Sequence, residues 1–116
     1  MNKWRKITPT LEFICNLKKE QRKQFIFSAK SNVIKNLVDV IFNFLTPKNF
    51  PVPQEIVKKL KHLETNLKLI CQKKISILTR KQLLVKGDTF GRFLSIIIPV
   101  LNEILFSKIT KNVEIQ

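Results

Sequence analysis

Apolar residues return every three or four positions along almost the whole chain, the spacing of one face of an α-helix. The clearest run is Val33, Ile34, Leu37, Val38, Ile41, Phe42 and Leu45. It predicts a central core helix entered through Ser31, whose hydroxyl suits an N-cap. The run stops where Pro47, Pro51 and Pro53 crowd together, because proline lacks an amide donor and restricts the residue before it. The stretch 46–53 is therefore expected to be a loop within one domain.

Upstream, Thr8 and Pro9 read as a cap and a first helical residue, and Leu11, Ile14, Cys15 and Lys18 share a face beyond them. Residues 18–30 begin basic and gain an apolar side only at Phe25, Ile26 and Ala29, so they either continue the first helix or break from it. Downstream, Ile56, Leu60, Leu63, Leu67 and Ile70 form a heptad-like stripe that predicts a fourth helix from about Pro53 to Lys74. Lys58, Lys61, Thr65 and Lys68 lie opposite that stripe, flanked by Lys59 and Lys73. His62 is one position off the stripe and is expected to be exposed or half exposed.

Ser76 reads as the cap of a short fifth helix that carries Arg80, Lys81, Leu83, Leu84 and Val85 and stops at Gly87. Asp88 or Thr89 then caps a last segment, from Phe90 to about Thr110, in which Pro99 should introduce a kink or a split. The tail 111–116 is expected to fray. Glycines are confined to Gly87 and Gly91, and hairpin signals such as Asn-Gly are absent. The pattern as a whole predicts an all-α fold, a compact single-domain bundle of about five to six helices over residues 1–116.

Charge changes the picture. The 116 residues carry 22 Lys and Arg against 8 Asp and Glu, a formal net charge of +14. Bringing so many like charges together opposes folding, so the imbalance points to an anionic partner. Nucleic acid comes first and an anionic membrane surface second. Lysine outnumbers arginine 18 to 4. That balance suits contact with phosphates better than the bidentate reading of bases, for which arginine is shaped. An AT-rich genome would raise lysine too, and an ordinary solvated face is the plain alternative for any single row of lysines.

Candidate chemistry is sparse. Cys15, Cys71 and His62 are too few for a zinc site, and the two cysteines read as buried thiols on apolar helix faces. No glycine-rich phosphate loop and no obvious carboxylate pair are present, so neither enzyme activity nor a cofactor is expected. Most of the nine Phe sit on apolar stripes; Trp4, between Lys3 and Arg5, suits base stacking, a membrane interface or the core edge equally. The start of the chain lacks the apolar core of a signal peptide. The run Phe93 to Phe106 is interrupted by polar residues and too short to span a bilayer, which takes about 20 residues.

The stretch Ser76-Ile77-Leu78-Thr79-Arg80-Lys81-Gln82-Leu83-Leu84-Val85-Lys86-Gly87, followed by Phe93-Leu94 and Ile97-Ile98-Pro99-Val100-Leu101, is the most distinctive part of the chain. It resembles a pattern in small basic proteins of Polinton/Maverick elements and adintoviruses: a Ser, a basic pair, two Leu, a Lys or Gln and a Gly pair, then Phe-Leu and Pro-x-Leu. Arg22-Lys23, Asn32-Val33-Ile34 and the turn from Asn43 to Pro51 are similar to that family as well. The Gly pair is here Gly87-Asp88, with the second glycine displaced to Gly91. Such proteins are likened to adenovirus core protein X and other minor virion proteins. The resemblance implies a viral or transposon-derived protein that accompanies packaged DNA, in the virion or the host nucleus.

The leading expectation is thus a non-enzymatic DNA-binding protein, with double-stranded DNA favoured. Arg22, Lys23, Lys58, Lys61, Lys68, Arg80 and Lys81 are the expected phosphate contacts. Two alternatives stand beside it. Phe90, Phe93, Ile97, Leu101 and Leu105 of the last segment would enter a membrane interface, or the same residues would pack on another copy or a capsid protein.

Overall fold

The structure, a computed structural model, describes the backbone over residues 2–46 and 52–115 and the side chains over residues 5–46 and 52–103. Within those residues the chain is all-α. Helix α1 spans Asn2–Asn16, α2 Lys19–Ser28, α3 Ser31–Leu45, α4 Gln54–Leu60, α5 Glu64–Ile70, α6 Ile77–Val85 and α7 Thr89–Ile115. A 3₁₀ turn, Lys61–Leu63, joins α4 to α5 in one rod, which gives the six rods of the expected bundle. Residues 47–51 of the proline-rich stretch lie outside the described residues; the chain leaves α3 at Leu45 and is helical again at Gln54.

Helix α3 lies inside the bundle, with Ile34, Leu37, Ile41 and Phe44 buried at spacings of three, four and three. Phe42, expected on this stripe, is instead half exposed, because it sits about a third of a turn from the stripe's centre; Val40 and Phe44 take its place. Ser31 is the first helical residue rather than the cap, which falls on Lys30. Helix α7 forms the other half of the core. It packs against α1, α4 and α6, while α6 also meets α2, α3 and α5. Phe93 of α7 meets Phe44 of α3 edge to face at 6.0 Å and stacks on Phe90 at 6.1 Å. Aromatic pairs prefer such separations and angles.

Two prolines lie inside helices, Pro9 where a helix start is expected and Pro99 where a kink or a split is expected. Helix α1 begins at Asn2 and runs through Pro9, so Thr8 lies inside the helix and is buried. Helix α7 runs from Thr89 to Ile115 through Pro99, without a split, and continues along the tail expected to fray. Each proline removes one helical hydrogen bond, and its ring crowds the carbonyl four residues back. Packing outweighs that cost: Leu11 and Ile14 beyond Pro9, and Ile97, Val100 and Leu101 around Pro99, are buried.

Of the two readings open for residues 18–30, the chain takes the break from the first helix. Helix α1 ends at Asn16, and the Gln21 side-chain oxygen accepts from the Lys18 N–H at 3.0 Å to start α2. Ser76 caps α6 as expected, its hydroxyl oxygen accepting from the Thr79 N–H at 3.1 Å. Gly87 ends α6 with φ at +58°, a left-handed conformation open to glycine at little cost.

Candidate nucleic-acid interface

A helix ends with carbonyls that have no partner and with a partial negative charge, so a cation placed there serves the fold. Three of the seven expected phosphate contacts do this. Arg22 is buried at 7% exposure, and all five of its N–H groups are engaged. Its Nε donates to the Ile14 carbonyl at 3.1 Å and its Nη2 to the carbonyls of Cys15 and Leu17 at 2.9 and 2.7 Å, closing the end of α1. Its Nη1 donates to both carboxylate oxygens of Asp88 at 3.0 and 2.9 Å.

Arg80 closes the end of α5, donating from Nε to the Ile70 carbonyl at 3.1 Å and from Nη2 to the Gln72 carbonyl at 2.6 Å. Lys81 closes the end of α2, its Nζ donating to the carbonyls of Phe27 and Ala29 at 2.9 and 2.8 Å. Arg22, buried with its donors engaged, is therefore corrected as a phosphate contact, while Arg80 and Lys81 are half-buried and commit part of their donors to the fold. The carbonyls they hold lie at the joints between helices.

The other four, Lys23, Lys58, Lys61 and Lys68, are exposed. Lys68 is paired one turn along the helix with Glu64, Nζ to Oε1 at 2.7 Å. The hydrogen bond and charge of Lys68, with a smaller contribution from Lys61, hold the Glu64 carboxyl below its ordinary value. Lys23 lines a groove between α2 and α6 with Lys19 and Lys86, but Glu20 and Asp88 line it too. Among the described residues only Arg22–Asp88 and Lys68–Glu64 form ion pairs, so most of the positive charge is uncompensated.

Lys58 belongs to a cationic arrangement with no acidic residue in its lining. It lines a groove of about 520 Å³ between α4 and α7 together with Lys59, His62, Leu63, Arg92 and Ile96. Burial of Leu60, Leu63 and Leu67 turns the opposite and flanking sides of this rod outward. The 3₁₀ turn that contains His62 brings it into line with Lys59, three residues earlier, because a 3₁₀ helix has three residues per turn. On α7, Phe90 and Phe93 point into the core and leave Arg92 exposed one turn before Ile96. No side chain of Lys58, Lys59, His62 or Arg92 has a hydrogen-bond or ion-pair partner among the described residues, and no carboxylate lines the groove.

The sequence pattern placed Lys59 only as a flanking residue, left His62 on a solvated side and passed over Arg92. The faces of both helices are readable, with Arg92 one turn before Ile96. That α4 meets α7 is a tertiary fact.

The other candidate residues are placed as plainly. Phe90, Phe93 and Ile97 are fully buried and Leu101 is 1% exposed, so these four are core, which corrects their expected role at a membrane or partner surface. The side chains of Leu105 and Trp4 lie outside the described residues. No helix among the described residues is long and apolar enough to cross a membrane. Nor do three or more His, Cys, Asp or Glu side chains gather as metal ligands there. Cys15 and Cys71 are free thiols, and burial pushes the Cys71 thiol up to about 11 against a smaller opposing pull from Arg80 and a smaller push from Asp39.

Compared with known proteins, this all-α bundle matches no protein family, no curated protein and no solved structure.

Proposed function

We propose that this is a non-enzymatic basic protein that binds nucleic acid through its phosphates with little sequence choice. The observation that carries the reading is the α4–α7 groove, where Lys58, Lys59 and Arg92 stand together beside His62 and no carboxylate is among the lining residues. Cations that have no internal partner are available to displace the counterions of a polyanion. Lysine's preponderance favours backbone contact over base reading. The resemblance to small basic proteins of Polinton/Maverick elements and adintoviruses supports DNA as the nucleic acid and a virion core as the setting.

The experiment is charge reversal outside the core. Lys58→Glu, Lys59→Glu and Arg92→Glu together should weaken duplex DNA binding by about tenfold or more at low salt, since each lost phosphate contact removes a counterion-release contribution. The same variant should keep the helical circular dichroism and melting temperature of the unaltered chain, because all three side chains are exposed. Unchanged DNA affinity in a folded triple variant would refute the reading.

A further inference from the structure

We propose that the groove between α4 and α7 seats one unpaired nucleotide, with the phosphate at its cationic rim and the base on its apolar floor. The inference rests on the nucleic-acid reading above and names the form of polynucleotide that the groove favours.

A duplex shows an approaching surface mainly phosphate and sugar, and cations suffice to meet it. This groove offers more than cations. Leu63, buried, and Ile96, half-buried, form an apolar floor beneath Lys58, Lys59 and Arg92. His62 adds a flat ring at the edge, and it is exposed rather than packed into the core. Unpaired bases are held by ring faces and apolar side chains beside a positive track along the backbone. The volume of about 520 Å³ falls in the range of roughly 300–1,000 Å³ typical of small-molecule sites. That is room for a nucleotide unit and far too little for a duplex.

Neighbouring grooves lack the combination. The one between α2 and α6 contains Glu20 and Asp88, and the one between α3 and α4 contains Glu64, each of which would repel a phosphate. The groove between α1 and α3 has an apolar wall but Lys6 as its one charged side chain.

The test measures fluorescence anisotropy of the full chain with a labelled oligothymidylate and with a duplex of equal length. The single strand should bind more tightly. His62→Ala should weaken single-strand binding about five- to tenfold, the lower part of what loss of a stacking ring costs, and weaken duplex binding much less, so that the preference for the single strand falls. Ile96→Ser, checked for folding by circular dichroism, should act in the same direction. Arg92→Gln should weaken both. If His62→Ala and Ile96→Ser leave the preference for the single strand unaltered, or no such preference exists, while salt-sensitive binding persists, the inference is overturned and the broader reading stands. If the unaltered chain binds neither probe in dilute buffer, both are overturned.

Discussion

Arg22 shows how far a residue's role depends on its surroundings. In the sequence it stands beside Lys23 in a basic cluster, and nothing local separates the two. In the fold Arg22 is buried with every donor engaged, while Lys23 is exposed. The guanidinium satisfies three carbonyls at the end of α1 and ties them to Asp88, 66 residues further along the chain. Removing one partner of such a pair leaves buried groups unsatisfied. Arg22→Ala should therefore destabilise the protein by about 3–5 kcal/mol in urea unfolding, while an exposed neighbour such as Lys23→Ala changes stability by less than about 0.5 kcal/mol. Equal, small effects of the two would contradict the role assigned to Arg22.

Cys71 gives a pH signature at the same scale. Its thiol is raised in the folded state from an ordinary 9.0 to about 11, chiefly by burial. Folding therefore disfavours the thiolate. Stability is unaffected by this group below the ordinary value and falls as pH rises from there through about 11. Thiol-reagent labelling of a Cys15→Ser variant should be slow at pH 8 and accelerate steeply towards pH 11, because the thiolate is the reactive form. Rapid labelling at pH 8 by native protein would contradict the burial.

The elements were legible wherever the apolar period was strong. The stripes of α3 and of the α4–α5 rod, the Ser76 cap and the Gly87 stop all follow from side-chain type and spacing. What was not legible depends on contacts from elsewhere. Pro9 read as a helix start and Pro99 as a kink or a split, yet burial of the residues around them carries α1 and α7 through. Arg80 and Lys81 read as projecting charges, yet they meet the open ends of α5 and α2.

The two glycines near the start of α7 illustrate the same division. Gly87 is required by its own backbone, with nothing within 4 Å of an added Cβ. Gly91 is required by its neighbours: a Cβ there would lie 2.6 Å from an Asp88 carboxylate oxygen and 2.7 Å from the Arg22 guanidinium. Gly87→Ala should cost about 1–2 kcal/mol through left-handed strain. Gly91→Ala should cost about 1–3 kcal/mol by forcing apart a packed pair. A double-mutant cycle separates them: Gly91→Ala should lose most of its effect in an Arg22→Ala background, and Gly87→Ala should not. Additivity in both cases would contradict the steric account of Gly91.

At the scale of the whole molecule the question is where +14 of net charge resides. Part of it braces the joints between helices, in the buried Arg22 and the half-buried Arg80 and Lys81. Lys68 is offset by Glu64 on the surface. The remainder includes Lys58, Lys59 and Arg92 around the α4–α7 groove, which no carboxylate lines. Composition announced the excess of charge and the lysine rows. Only the tertiary packing separates cations that hold the fold together from cations with no partner inside it.

The most direct test of that separation is the salt dependence of DNA binding, measured as the observed association constant over a series of salt concentrations. Uncompensated cations around the groove predict a logarithmic slope of about −3 or steeper on duplex DNA, which corresponds to a few neutralised phosphates. A slope near zero, or no binding in dilute buffer, would contradict the account.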